Sequence, residues 1–110
     1  MPSADFLGRV LAIAGSDSGG GAGIQADIKT VTALGGYAAT AITAVTDQDT
    51  QSIHGVHSVP PSFVASQIST VLNDLGADVI KIGMLGSEEV INAVADVLAM
   101  HVDFPLVVDP

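Results

Sequence analysis

A glycine-rich segment that joins an apolar run to an amphipathic one constrains most strongly how this chain can fold. The segment extends from Ala14 to Thr30 and reads AGSDSGGGAGIQADIKT. The run that leads into it, Val10 to Ala14, is entirely apolar, as expected of a strand buried on both faces of a parallel sheet. Apolar residues then recur at helical spacing at Ile24, Ile28, Val31 and Leu34. The pattern predicts a strand, a glycine turn and a helix, with a small-molecule site at the sheet edge where the turn lies.

The glycine run matches neither of two common phosphate-binding motifs. A P-loop needs Lys and then Ser or Thr after its second glycine, whereas Gly20 is followed by Gly21 and Ala22. The dinucleotide fingerprint G-x-G-x-x-G, started at Gly19, would need its third glycine where Ile24 stands. Spacing alone therefore leaves two interpretations open, a ligand site or a turn that only lets the strand fold back into a helix.

The remainder of the chain alternates strand-like and helix-like segments. Further strands are predicted at Tyr37 to Val45, Asp78 to Met84 and Leu106 to Val108, with a short edge or flap strand at Val56 to Val59. A loop is predicted at Asp47 to Gly55. Helices are predicted to begin at Pro60-Pro61-Ser62 and at Ser87, which Glu88 and Glu89 follow. Alternation of this kind predicts an α/β fold with a mostly parallel sheet.

The two later helices each carry an apolar stripe that is predicted to cover the sheet. The stripes are Phe63, Val64, Ile68, Val71, Leu72 and Leu75 in the first of them, and Val90, Ile91, Val94, Val97 and Leu98 in the second.

Charge and composition exclude several classes of function. The chain has 3 Lys plus Arg against 12 Asp plus Glu, a net charge of -9, so nucleic acid is not an expected partner. It has no Cys, which excludes a disulfide framework and a thiolate metal site. Neither a signal peptide nor an apolar run of membrane-spanning length is apparent. We therefore expect a cytoplasmic protein with no membrane partner.

Four segments in order along the chain resemble one enzyme family. They are AGSDSGGGAGIQAD with Lys29 and Thr30, TAVTDQ from Thr43 to Gln48, KIGMLGS from Lys81 to Ser87, and VVDP from Val107 to Pro110. Together they resemble the hydroxymethylpyrimidine and phosphomethylpyrimidine kinases of thiamine biosynthesis, in the ribokinase-like superfamily. The resemblance implies a three-layer fold with a mostly parallel sheet between helices. It also leads us to expect that residues 1–110 are the amino-terminal portion of a single kinase domain, truncated after the strand ending near Asp109.

Gln48 is the sharpest candidate for substrate binding. Its side-chain amide can donate and accept at once, which matches the ring nitrogen and amino group on an aminopyrimidine edge. Without the resemblance, a solvated loop glutamine is the alternative. The resemblance implies contact with the pyrimidine, although Asp47 and Asp49 replace the commoner Ala and Asn beside it.

Four other residues are assigned roles by the resemblance. Met84 would pack on the pyrimidine face. From the residues alone, the alternative is that Met84 is an ordinary core methionine. The backbone of Gly15 would approach the substrate, and Asp27 would lie near the hydroxymethyl group, although an acid there is more often capping or solvated. Asp109 would lie close to the phosphates and Mg²⁺. From the residues alone, Asp17 is expected to bind nearby backbone N–H groups and to have no chemical role.

The resemblance implies ATP-dependent phosphorylation of 4-amino-5-hydroxymethyl-2-methylpyrimidine and of its monophosphate, with Mg²⁺ bound and the full-length protein a possible homodimer. It places the hydroxyl-activating residue, the anion hole and most of the ATP pocket in the carboxy-terminal half of the family's domain. We therefore predict no catalytic residue in this chain, which alone should be inactive. The alternatives left open are a pyridoxine or pyridoxal kinase, a non-catalytic pyrimidine-binding fragment and, weakened by the failed fingerprint, a Rossmann oxidoreductase.

Overall fold

The structure is a computed structural model that describes residues 6–101 and 103–109. Its described part contains five strands, β1 (Arg9–Ser16), β2 (Tyr37–Gln48), β3 (Ile53–Ser58), β4 (Val79–Ile82) and β5 (Leu106–Val108). Three helices connect them, α1 (Gly23–Ala33), α2 (Pro61–Asp74) and α3 (Glu88–Ala99). The strands form one sheet in the order β3-β2-β1-β4-β5, in which only the β2–β3 pair is antiparallel. The predicted α/β class with a mostly parallel sheet is confirmed.

The central strand of this sheet is β1. It pairs in parallel with β2 on one side and with β4 on the other, and every residue from Leu11 to Ala14 is buried. Leu11 and Ile13 belong to the main core with Val64 of α2 and Val94 of α3. Because side chains alternate along a strand, Ala12 and Ala14 face the other side of the sheet, which α1 covers. Helices therefore lie on both faces of the sheet.

The second and third strands extend further than the sequence pattern predicts. The predicted loop from Asp47 to Gly55 is wrong at both ends, because β2 continues to Gln48 and β3 begins at Ile53. Polar residues are tolerated there because Thr46 pairs with Val56, and Gln48 with Ile53, in an edge hairpin. The strand predicted at Asp78 to Met84 is shorter in the structure, since β4 ends at Ile82.

The predicted starts of the helices agree with the structure better than the predicted buried faces do. The Ser87 side chain accepts a hydrogen bond from the Val90 N–H at 3.2 Å, so the predicted cap of α3 is confirmed. Two stripe residues are exposed where burial was predicted: Phe63 is 61% exposed and Ile91 is 50% exposed. Each lies at the margin of its helical stripe, whose centre is buried in the core.

A side-chain amide replaces a missing strand partner in the middle of β2. Its outer edge is paired with β3 only from Ala44 onward. At Ile42, the Gln67 side chain of α2 accepts from the backbone N–H at 2.9 Å and donates to the backbone carbonyl at 3.0 Å. The amide thus satisfies both main-chain groups and fixes α2 to the sheet.

No helix in the described ranges, 6–101 and 103–109, is both long enough and apolar enough to cross a membrane.

Candidate functional site

A cavity of about 410 Å³ lies at the edge of the sheet where the parallel strands end. Gly15, Gln48, Met84 and Asp109 all line it, so four of the five residues singled out for binding are brought together. The glycine turn contributes Asp17, Ala22 and Gly23, and the edge strand contributes Ile53 and Val56. The fifth, Asp27, does not line the cavity.

The glycine turn is held by the carboxylate of Asp17. Its oxygens accept backbone N–H bonds from Gly19 at 2.8 Å, Gly21 at 2.9 Å and Ala22 at 2.8 Å. Burial acts to raise the pKa of Asp17, but these backbone bonds outweigh it and the pKa lies below its ordinary value. The Gly20 N–H is bound to the Asp17 carbonyl at 3.0 Å, so four consecutive amides are satisfied within the turn. The expected binding of Asp17 to nearby backbone N–H groups is confirmed.

The approach of α1 to β1 requires glycine at position 23. Gly23 has a φ of +58°, and a β-carbon there would collide with the carbonyl oxygen of Gly15. The Gln25 side chain also ties the helix to the strand end, since it accepts from the Asp17 N–H at 2.7 Å and donates to the Ser16 hydroxyl at 2.7 Å. The turn and the end of β1 therefore form one rigid wall of the cavity.

Gly15 and Met84 are neighbours in the lining of the cavity. A β-carbon at Gly15 would lie 2.7 Å from Cε of Met84, so the absent side chain makes room for the thioether. The register between β1 and β2 shifts between Ala14 and Ser16. In this irregular stretch the buried Thr43 hydroxyl donates to the Met84 carbonyl at 2.7 Å, which fixes the segment that follows β4.

Gln48 combines a fixed backbone with a loosely held amide. The Ser18 hydroxyl exchanges two hydrogen bonds with the backbone of Gln48. The Thr46 hydroxyl donates to the Ser16 carbonyl at 2.8 Å and lies 3.2 Å from Oε1 of Gln48. Because a hydroxyl has one proton and the Ser16 carbonyl is nearer, the amide is only weakly bound inside the protein and can bind a ligand.

The two acids beside Gln48 do not line the cavity. Asp47 is exposed, and Asp49 lies in the turn between β2 and β3. The carboxylate of Asp49 lies 3.0 Å from the His54 ring and accepts the N–H groups of Gln51 and Ser52. The hydrogen bond with His54, followed by the backbone bonds, lowers the pKa of Asp49. The departures from the commoner Ala and Asn are therefore accommodated outside the pocket.

Asp27 forms an ion pair with Lys81. The Lys81 ammonium lies 3.0 Å from Oδ2 of Asp27, and the two side chains are only 22% and 18% exposed. Lys81 lines the cavity, whereas Asp27 does not and is bound to the Lys81 ammonium. The Lys81 side chain lies over Gly83, where a β-carbon would lie 3.0 Å from the ammonium nitrogen. Sequence reasoning missed Lys81, although a single lysine inside the apolar strand VIKI was a usable signal.

Asp109 follows β5 and is exposed at the cavity edge. Its backbone N–H donates to the Ile82 carbonyl at 2.9 Å, which continues the β4–β5 ladder. Within residues 6–101 and 103–109 there is no cluster of three or more His, Asp or Glu residues that could hold a metal. A single carboxylate suits Mg²⁺ when phosphate oxygens and waters supply the other ligands.

Comparison with known proteins decides the family. Residues 17–110 match the family described as phosphomethylpyrimidine kinase. The chain belongs to this family. The hydroxymethylpyrimidine/phosphomethylpyrimidine kinase of Mycobacterium leprae, one of the family's kinases, is 56% identical over 103 residues, which are 93% of this chain and 37% of that protein.

Solved structures of phosphomethylpyrimidine kinase and of pyridoxal kinase share the fold. The phosphomethylpyrimidine kinase of Clostridium difficile 630 superposes with a TM-score of 0.89 at 43% identity, over 93% of this chain and 44% of that one. The pyridoxal kinase of Staphylococcus aureus, in complex with AMP-PCP and pyridoxal, gives a TM-score of 0.79 at 43% identity, over 93% of this chain and 38% of that one. The chain spans less than half the length of each of these three proteins.

Proposed function

We propose that the full-length protein transfers the γ-phosphoryl group of ATP to the hydroxymethyl oxygen of 4-amino-5-hydroxymethyl-2-methylpyrimidine, and again to the resulting monophosphate. One observation carries this proposal: the amide of Gln48 and the thioether of Met84 line the same cavity at the carboxyl edge of the sheet. An amide can read the polar edge of an aminopyrimidine while a polarizable thioether packs against its face. The membership of the phosphomethylpyrimidine kinase family supports the same substrate class.

The cavity is suited to a small flat ring. Its volume of about 410 Å³ falls within the usual range for small-molecule sites, and Ile53 and Val56 add apolar surface from the edge strand. The absent side chain at Gly15 lets the Met84 thioether pack against the end of β1. These residues would bind and orient the ring, which leaves the exocyclic oxygen free to meet the phosphoryl donor.

Asp109 is the residue of this chain that would hold Mg²⁺ together with nucleotide phosphates. The metal would neutralise phosphate charge, which a chain of net charge -9 otherwise repels. The glycine turn does not supply phosphate donors, because its amides bind Asp17. We propose that the groups that activate the hydroxyl and stabilise the transferring phosphoryl belong to the rest of the full-length protein.

Pyridoxal kinase is the second candidate function. The Staphylococcus aureus pyridoxal kinase, solved with AMP-PCP and pyridoxal, has the same fold at 43% identity. Gln48 favours the pyrimidine instead, because its amide pairs with adjacent acceptor and amino groups that the pyridoxal ring does not have in that arrangement. A homodimer and a cytoplasmic location stay predictions for the full-length protein.

The test is a substrate comparison with the full-length protein. Phosphate transfer from ATP is measured with hydroxymethylpyrimidine, its monophosphate and pyridoxal, each with and without Mg²⁺. We expect Mg²⁺-dependent turnover of both pyrimidines with kcat/KM above that for pyridoxal. Turnover of pyridoxal alone would establish the second candidate and refute the first.

A further inference from the structure

The cavity lining includes one ammonium group, that of Lys81, which binding of the pyrimidine ring does not require. Among the described residues that line it, Lys81 is the only cation. The acids of the lining are Asp17, whose oxygens bind the glycine turn, and Asp109, which follows β5. A lysine that is largely removed from water loses hydration, and its ion pair with Asp27 uses one of its three N–H donors. Two donors are left for a ligand.

We propose that Lys81 binds the phosphate of the phosphorylated pyrimidine, so that it selects the monophosphate as substrate for the second transfer. The inference rests on the proposed function and on the expectation, drawn from the family resemblance, that Asp27 lies near the exocyclic hydroxymethyl group. The Lys81 ammonium lies 3.0 Å from the Asp27 carboxylate, so it is next to the oxygen that carries phosphate after the first transfer. Asp27 then keeps the ammonium in place and Lys81 contacts the anion.

The amides of the glycine turn and the Lys29 ammonium are already in use. The amides of residues 19–22 bind Asp17, and the Lys29 ammonium binds the Gly20 carbonyl at 2.8 Å on an exposed surface. The first turn of α1 adds to the attraction, because Ala22 gives it no side-chain cap and its positive end meets the cavity wall beside Gly23. Among the described residues that line the cavity, Lys81 is therefore the side chain that offsets the two carboxylates for an anionic substituent.

Space for the ammonium is built into the strand end. A β-carbon at Gly83 would lie 3.0 Å from the Lys81 nitrogen and 3.0 Å from Cβ of Ala14. The absent side chain lets the ammonium lie over the end of β4 instead of turning to bulk solvent. The fold thus provides a preformed position for the Lys81 ammonium inside the cavity, which an ordinary surface lysine does not have.

The test measures binding of the two pyrimidines to the full-length protein by calorimetry without ATP. K81M should weaken binding of the monophosphate by about ten- to a hundredfold, and binding of the unphosphorylated hydroxymethylpyrimidine by less than about threefold. K81R, which keeps the charge, should retain most of the monophosphate affinity. K29M is the matched control, since that lysine lies outside the cavity, and it should leave both affinities unchanged.

Stability and alternative roles are controlled by a second variant. K81M leaves the Asp27 carboxylate without its partner, so D27N/K81M removes both charges, and the ratio of the two affinities is measured again if K81M alone fails to fold. An equal loss for both pyrimidines, or no loss for the monophosphate, would overturn the assignment and leave Lys81 as a structural partner of Asp27. Failure of the unsubstituted protein to bind either pyrimidine would instead refute the proposed function.

Discussion

Replacement of Gln48 by Met tests how the ring is recognised in the full-length protein. Methionine has a similar length and flexibility, so the apolar contacts of the side chain survive while the amide is lost. The backbone of Gln48 should not move, because the Ser18 hydroxyl holds its N–H at 2.7 Å independently of the side chain. The internal cost is small, since the amide has only the long 3.2 Å contact with Thr46.

The main effect should therefore fall on the bound substrate. Loss of the amide leaves polar atoms of the ring unpaired in a desolvated pocket, which costs about 1 to 3 kcal/mol. That free energy corresponds to a loss of roughly tenfold to over a hundredfold in kcat/KM for hydroxymethylpyrimidine. The KM for ATP should stay nearly constant, because the proposed function places the phosphoryl donor at the exocyclic oxygen and not at this edge of the ring. Use of pyridoxal should be unchanged or improved.

The assay compares kcat/KM for hydroxymethylpyrimidine and pyridoxal, beside the KM for ATP, in the parent and in Q48M. Q51M is a matched control, since Gln51 is an exposed glutamine in the adjacent turn and does not line the cavity. An unchanged pyrimidine value in Q48M would show that Gln48 is a solvated residue. Equal losses in Q48M and Q51M would show that the hairpin, and not the amide, determines activity.

Three further substitutions in the full-length protein test the framework of the site. G23A should lower the melting temperature far more than G21A, because of these two glycines only Gly23 has both a positive φ and a backbone oxygen in the path of a β-carbon. Equal effects of the two substitutions in thermal unfolding would contradict this. Because the folded-state pKa of Asp17 is lowered, its stabilisation is present above the ordinary value of about 3.9 and lost as pH falls through the folded value. D17N should therefore flatten the acid limb of urea-unfolding stability between about pH 5 and 2, and an unchanged limb would exclude this role. T43V should destabilise the protein by about 1 to 3 kcal/mol in urea unfolding, because the carbonyl of Met84 loses its buried donor; T43S should restore most of that loss.

The α/β architecture was predictable because its signals are local. Continuous apolar residues at Val10 to Ala14 specify a strand buried on both faces, and the structure buries Leu11 to Ala14. Likewise, the cap of α3 follows from Ser87 and the acids after it. Each of these features depends on residues close together in the chain, so no knowledge of the tertiary structure was needed.

The limits of β2 and β3 were not predictable in the same way. Thr46 to Gln48 are polar, and their extended conformation is stabilised by pairing with β3, which no local pattern shows. The exposure of Phe63 also depends on how α2 is rotated about its axis against the sheet. An apolar stripe of six residues along the helix does not fix that rotation.

The candidate site was partly predictable from residues that follow strands. Gln48, Met84 and Asp109 lie at or beyond strand ends, and parallel strands place those ends at one sheet edge. Lys81 was missed because its role depends on Asp27, 54 positions away in the chain, which α1 brings within 3.0 Å. The substrate roles of the individual residues stay predictions.

The pairing of Gln67 with Ile42 has a consequence for amide hydrogen exchange. The Ile42 N–H is bound to a helix side chain and not to a neighbouring strand, so it can be released when α2 detaches while β1 and β2 stay paired. Its exchange rate therefore measures the opening of the helix layer, whereas amides within the β1–β2 ladder measure the opening of the sheet. A single backbone position in the middle of a strand thus reports on a separate cooperative unit of the fold.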